Sequence, residues 1–404
     1  MFSYPTPFTP PTTEEDGLSW LRLIRSRRVG PSTFWRLLSE HGSAAAALEA
    51  LPAIAARAGV DDYQPCPAAV ALAEFAAARR HGAVPLWAGS AQYPALLSRI
   101  ADAPPLLWLR GDAGLLARPV VAVVGARNAS SLGLRMARLM AAELGAAGLV
   151  IAAGLARGID AEAHAAALPT GTLAVMAGGL DVVYPSENAA LAARIAAGGL
   201  LVSEQPFGMQ PQARHFPLRN RIISGLARAV VVIEAAVQSG SLITARTALD
   251  QGREVMAVPG HPFDGRAGGC NALIRDGALL VRGARDVIAA LGTALPSDAA
   301  RGILPAARPQ DRADAEGAAG TGAAQAAQAP AEDAEGAARP AGPLARAALL
   351  HQAILDRLGP SPVPEDQLIR DLAEPAARIG RELLCLELEG RVARQPGGLV
   401  ARLS

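Results

Sequence analysis

The hydrophobic positions of the chain change their period several times, and each change marks a unit. From residue 14 to about residue 82 apolar side chains recur at helical spacing. In LSWLRLIRSRRVGPSTFWRLLSEHG they do so on both sides of Val29-Gly30-Pro31, which predicts two short helices joined by a tight turn. The layout is that of a small SAM- or helix-hairpin-helix-like domain. Its turn has one glycine where such hairpins usually carry two, so packing and contact with a DNA backbone both stay open. From 84 to 292 the texture becomes strand, turn, helix, repeated. The strand-like runs are VVAVVGA, LVIAAG, TLAVMAGG, LLVSE, AVVVIEA, REVMAVPG and ALLV. They are continuously apolar rather than alternating, as strands buried on both faces of a parallel sheet must be. Repeated βα units of this kind predict a doubly wound α/β domain with ligands beyond the carboxyl ends of its strands.

From 293 to 343 the pattern is lost. Ala, Gly, Pro, Asp, Glu, Gln and Arg dominate, with no aromatic residue, and such a segment cannot bury enough surface to offset its ordering entropy. It is expected to be a flexible linker. Beyond it, 344–404 offers three helical patterns, ARAALLHQAILDRLG, PEDQLIRDLA and PAARIGRELLCLELEG, with Pro375 suited to a first helical turn. Two short strands follow around Pro396-Gly397-Gly398, the layout of a winged helix.

Composition sharpens this picture at one point. All 38 basic residues are arginine, and no lysine occurs in the sequence. A coding bias towards Arg and Ala is the simplest origin, and the consequence holds whatever the cause. A P-loop needs a lysine on its phosphates, a kinase needs its strand lysine, and a pyridoxal enzyme needs a Schiff-base lysine. All three classes are excluded. A formal net charge of +1 means that any nucleic-acid site must gather its cations locally. Cys66, Cys270 and Cys385 are scattered, without metal-ligand spacing, as in a reducing compartment. The first residues show no basic segment followed by an apolar one, and no apolar run reaches membrane-spanning length. The expectation is a cytoplasmic chain with no membrane partner, no cofactor and no metal.

Three segments could hold chemistry. Gly125-Ala126-Arg127-Asn128-Ala129-Ser130 and Ser239-Gly240-Ser241-Leu242-Ile243-Thr244 each follow a strand and open a helix. Free backbone N–H groups and the helix dipole make such turns phosphate sites. The first is no dinucleotide fingerprint, since Arg127 stands in the second glycine's place. Arg127 is either a forked cation aimed at a phosphate or a surface ion-pair partner. The third segment, PQARHFPLRNRIISGLARA, carries Arg214, Arg219, Arg221 and Arg228 around Phe216 and has no acidic residue. That composition suits a single-strand groove, in which cations track phosphates and a ring stacks on a base. A basic loop with a buried Phe reads the same way. Asp160 and His164, four apart, could share one helix face as a metal or acid/base pair, although a structural role and a helix cap are the simpler reading.

The segments AVVGARNAS, AGLARGIDAEAH, GGLDVVYPSEN, SEQPFGMQPQARHFPLRNRIISGL, VVIEAAVQSGSLITARTALDQGREVMAVPG and GGCNALIRDGA stand in the order and spacing of one family. Over residues 104–281 the chain resembles the DNA-processing protein A (DprA/Smf) family. The resemblance implies a Rossmann-like domain that binds single-stranded DNA, forms a homodimer, protects incoming DNA in natural transformation and loads the RecA recombinase while displacing single-strand-binding protein. It implies no catalysis. Its phosphate motif falls on Gly125, Ala126 and Arg127, its second motif on Gly154 to Asp160, its Phe-Pro-x-Arg-Asn-Arg segment on Phe216 to Arg221, and its Ser-Gly-Ser turn on Ser239 to Thr244. The site so implied comprises Gly125, Arg127, Ser130, Gly154, Arg157, Gly158, Phe216, Arg219, Asn220, Arg221, Ser239, Gly240, Ser241, Thr244 and Asn271. Ala126 replaces the usual Ser, and Ala153 stands where a Ser often precedes the second motif. Two rivals remain. A nucleotide-processing hydrolase of the related Rossmann-like phosphoribohydrolase type would use a strand-end carboxylate such as Glu234, but lacks its Pro-Gly-Gly-x-Gly-Thr-x-x-Glu stretch here. A duplex-reading regulator would use the tail, where Arg378 and Arg381 face Glu382, Glu387 and Glu389 on the would-be recognition helix, a poor balance for a major groove.

Overall fold

The computed structural model describes residues 9–292, 343–358, 363–372, 374–388, 391–395 and 399–402. The 293–342 stretch expected as a linker and the Pro396-Gly397-Gly398 turn lie outside the described residues.

Four helices form the front of the chain: α1 (Glu14–Arg25), α2 (Pro31–His41), α3 (Ala44–Arg57) and α4 (Ala68–Arg80). Thr13 caps α1, accepting from the amide of Asp16, whose carboxylate in turn accepts from the amide of Thr13. Pro31 opens α2 in the first turn, where its missing N–H is harmless. The aromatic residues of this unit pack edge to face, with Trp20 at 5.1 Å from Phe34 and 6.1 Å from Trp87 between ring centroids.

Trp87 belongs to the sheet. Nine strands run β1 (Val84–Trp87), β2 (Leu106–Gly111), β3 (Val120–Gly125), β4 (Val150–Ala153), β5 (Thr172–Val175), β6 (Leu200–Ser203), β7 (Ala229–Ile233), β8 (Glu254–Ala257) and β9 (Leu279–Leu280). Their order across the sheet is β1-β2-β6-β5-β4-β3-β7-β8-β9. From β6 to β9 all neighbours are parallel, whereas β1 and β2 are antiparallel to each other and β2 to β6. The sheet is therefore doubly wound and mostly parallel, a Rossmann-like fold. The antiparallel pair is the part that the apolar runs did not announce, because β1 is four residues long and contains Pro85.

Side chains of β3 alternate between the two faces. Val121 and Val123 pack with α5 (Ser131–Ala146), α6 (Ile159–Ala167) and α11 (Ala284–Leu291). Val120, Ala122 and Val124 join a second cluster with α8 (His215–Leu226) and α9 (Gly240–Asp250) that continues into the front helices. All five of these β3 side chains are buried, which explains why the strand reads as an unbroken apolar run.

A polar seam joins the front helices to the sheet edge. Arg25 lies 2.7 Å from Glu74, and the same carboxylate accepts from the indole N–H of Trp108 on β2 at 2.7 Å. Arg25 also donates to the carbonyl of Glu204 at 3.0 Å. Trp108 is fully buried, and removing so large a ring from water contributes about 4–6 kcal/mol. Satisfying its N–H is the condition for that gain.

In the tail, helices at Pro343–Arg357, Glu365–Leu372 and Ala376–Leu388 precede strands at Val392–Gln395 and Leu399–Arg402. A two-residue strand, Val363–Pro364, completes a three-stranded antiparallel sheet, giving a winged helix. Pro375 sits just before the third helix, where its carbonyl accepts from Arg378 and Ile379, one position earlier than its expected place inside the first turn. Among the described residues no helix is long and apolar enough to cross a membrane.

Candidate nucleic-acid interface

The strand order reverses between β3 and β7, whose carboxyl ends pair at Gly125 and Ile233. At this switch point the loops leave in opposite directions and open a crevice. A cleft of about 820 Å³ lies there, lined by both turns and by α8. Two glycines permit the close approach of its walls. A Cβ on Gly125 would fall 1.8 Å from the carbonyl oxygen of Ile233. Gly158 has φ +71°, and a Cβ there would meet the carbonyl of Ala126 at 2.3 Å. The following residue, Ile159, donates to that carbonyl at 3.2 Å, so the turn at 125–127 is pinned to the start of α6.

Arg127 projects from this turn and is exposed. Its guanidinium carbon stands 5.2 Å from the centroid of the Phe216 ring, within cation–π range. Phe216 is half-buried at the start of α8 and tilts against Tyr184, 5.7 Å away. These rings, with Arg157 and Pro185, line an adjoining chamber of about 340 Å³. Arg157 is exposed and paired with Glu187 at 2.6 Å. On the opposite wall Ser239 caps α9, and Ser239, Gly240, Ser241 and Thr244 line the cleft. The hydroxyls of Ser239 and Ser241 lie 2.7 Å apart. The positive end of the α9 dipole therefore faces the same space as Arg127.

The remaining sequence-derived positions are arranged differently from a chain of cations along a groove. Segment 215–226 is a helix, and both of its arginines turn inward. Arg219 is 6% exposed, although it reaches the floor of the cleft. It donates to the carbonyls of Gly154 and Val175 and to Asn220 Oδ1 at 3.1 Å. Burial lowers its pKa to about 10, against the opposing pull of Asp160. Arg221 is 5% exposed and does not line the cleft; it pairs with Glu204 and with Asp102 at 3.1 Å. Arg221, expected from the sequence to track phosphates, thus lies outside the cleft with the carboxylates of Glu204 and Asp102 beside its guanidinium. Asn271 likewise works on backbone, holding the N–H and carbonyl of Gly260 at 3.1 and 2.9 Å.

The expected phosphate seat at the start of α5 is also taken. Ser130 caps the helix, accepting from Gly133 N at 3.0 Å. The Glu234 carboxylate, at the end of β7, accepts from the Ser130 amide at 2.8 Å and from its hydroxyl. Glu234 has φ +50°, an uncommon conformation for a side-chain-bearing residue, and in it the carboxylate sits over the first turn of α5. Ser130 thus holds an internal anion and is not among the cleft residues.

Asp160 and His164 are internal as well. Asp160 accepts from the amides of Gly154 and Ala156 at 2.9 and 3.3 Å, and burial raises its pKa although Arg219 draws it down. Both nitrogens of His164 are engaged, Nε2 by the Leu155 amide at 3.3 Å and Nδ1 by the Thr172 hydroxyl at 2.7 Å. Among the described residues no cluster of three His, Cys, Asp or Glu side chains could hold a metal ion. Tyr184, Asp264 and Arg266 were not singled out from the sequence, yet they line the two cavities. Tyr184 stood in a quoted motif, GGLDVVYPSEN, where an aromatic ring among polar residues was the available signal.

Residues 85–292 match the family described as DNA recombination-mediator protein A. The chain belongs to that family. Residues 14–77 match its DprA-like N-terminal HHH domain and 324–398 its DprA winged helix domain. The chain is 49% identical over 199 residues to DNA processing protein DprA of Streptococcus pneumoniae, covering 49% of this chain and 70% of the relative. It is 36% identical over 318 residues to Protein Smf of Escherichia coli, covering 78% and 76%. The X-ray structure of the S. pneumoniae protein superposes with a TM-score of 0.53 at 38% identity, over 69% of this chain and 93% of that one. The S. pneumoniae relative is described as a DNA processing protein.

Proposed function

We propose that the protein binds single-stranded DNA in the cleft at the β3/β7 switch point and acts as a recombination mediator that protects incoming strands and loads the RecA recombinase onto them. The observation that carries this reading is the exposed Arg127 guanidinium against the Phe216 ring, opposite the N-terminus of α9. A cation, a ring and the positive end of a helix facing one space suit a phosphate with its base, without base-edge readout. The remaining proposed site residues have supporting parts: Gly125, Gly154 and Gly158 shape the walls, while Arg219 and Asn220 fix the floor. Displacement of single-strand-binding protein and homodimer formation belong to the same proposal and rest on the family resemblance.

The reading is non-catalytic. His164 has both ring nitrogens engaged, and Asp160 accepts two backbone amides. Glu234, the carboxylate that a phosphoribohydrolase would need, is instead bonded to the amide and hydroxyl of Ser130, the residue that caps α5.

The test is anisotropy of labelled single- and double-stranded oligonucleotides with the intact protein and Arg127→Ala across a salt series. The single strand is expected to bind better, with the variant weakened about tenfold or more. Three exposed arginines, Arg127 and Arg266 at the cleft and Arg157 in the adjoining chamber, give a log–log salt slope of about −2. Preference for duplex, or indifference to the substitution, overturns the proposal.

A further inference from the structure

The loop between β8 and α10 (Gly268–Arg275) carries a ring with no place in the core. Phe263 is 95% exposed. The loop beneath it is ordered by its own bonds: Asn271 clamps Gly260, Asp264 donates its amide to His261 O at 2.9 Å, and Ala267 to Asp264 O at 2.9 Å. The Phe263 amide reaches His261 Nδ1 at 3.3 Å, and the two rings tilt together at 5.5 Å. The next three residues, Asp264, Gly265 and Arg266, line the cleft that holds Arg127. Arg266 is exposed there and paired with Asp264 at 3.1 Å.

An apolar ring held in water on a braced loop gains by finding a flat partner, and the adjoining cleft is lined with cations suited to a phosphate chain. We infer that Phe263 is a second base-stacking platform, receiving a nucleobase of a single strand whose phosphates pass Arg266 and Arg127. The occupant is a base of the strand in the cleft, since the ring and the phosphate-binding wall share one loop. This rests on the function proposed above and extends the strand's path beyond Phe216.

The experiment titrates full-length protein, Phe263→Ala and Phe263→Trp with oligodeoxythymidine over a salt series. Phe263→Ala is expected to weaken binding about fivefold or more with an unchanged salt slope, because a stacking contact releases no counterions. Phe263→Trp keeps the parental affinity, and its added emission is quenched by the oligonucleotide. Affinity of Phe263→Ala within twofold of the parent overturns the inference, as does an unquenched tryptophan. A change in oligomeric state of Phe263→Ala without DNA also overturns it, by assigning the ring to a protein contact. If the parent itself fails to bind the single strand, the function proposed above falls first. Binding by the parent with indifference to Phe263 removes this platform alone.

Discussion

At the scale of single residues, His164 shows what burial does to an ionisable group. Its pKa is pushed down to about 3, by burial first and then by the charge of Arg219. Between that value and its ordinary 6.5 the folded protein holds fewer protons at this site than the unfolded chain. The resulting stability is full above pH 6.5 and is lost as pH falls towards 3. Denaturant midpoints measured across this range should decline towards acid in the parent. In His164→Gln, which keeps a hydrogen-bonding side chain but cannot titrate, the decline should be shallower. Equal slopes would show that another group dominates. Arg127 was legible in the sequence because its setting, a glycine turn between strand and helix, is local. Glu234 was noted only as a rival catalyst, since its bond to Ser130 spans 104 positions and no local pattern encodes such a pairing.

Among the elements, α8 differs most from its sequence reading. Arginines without nearby acids in the sequence looked like a solvated groove, yet their partners come from elsewhere: Glu204 after β6, Asp102 before β2, and carbonyls at the ends of β4 and β5. Composition within a window cannot show what the fold brings to it. Arg221→Ala therefore belongs to stability and not to binding. It leaves two carboxylates without their cation, a change that typically costs about 3–5 kcal/mol. A lowered thermal midpoint is expected, with single-strand affinity within a fewfold of the parent at a temperature where the variant is folded. Affinity lost at unchanged stability would return Arg221 to the interface. The strands from β3 to β8 were visible as unbroken apolar runs because both faces are covered. The β1–β2 pair was not, because β1 is four residues long, carries Pro85 and alternates little in burial along its length.

For the whole molecule, the proposed function divides the chain unequally. Both walls of the cleft come from residues 124–266, so a chain ending at Gly292 should retain single-strand affinity within a fewfold. Loss of binding in that truncated protein would move the interface to the winged helix. The front helices are a different matter, because Glu74 serves both Arg25 and Trp108 and so ties them to the sheet edge. Glu234 fixes the state of one helix start at the crevice by bonding Ser130. Loose nucleotides compete for any open helix end, but at α5 the seat is held by a tenant that cannot diffuse away. On the function proposed, a phosphate entering the crevice is thereby left with the start of α9 and not with that of α5.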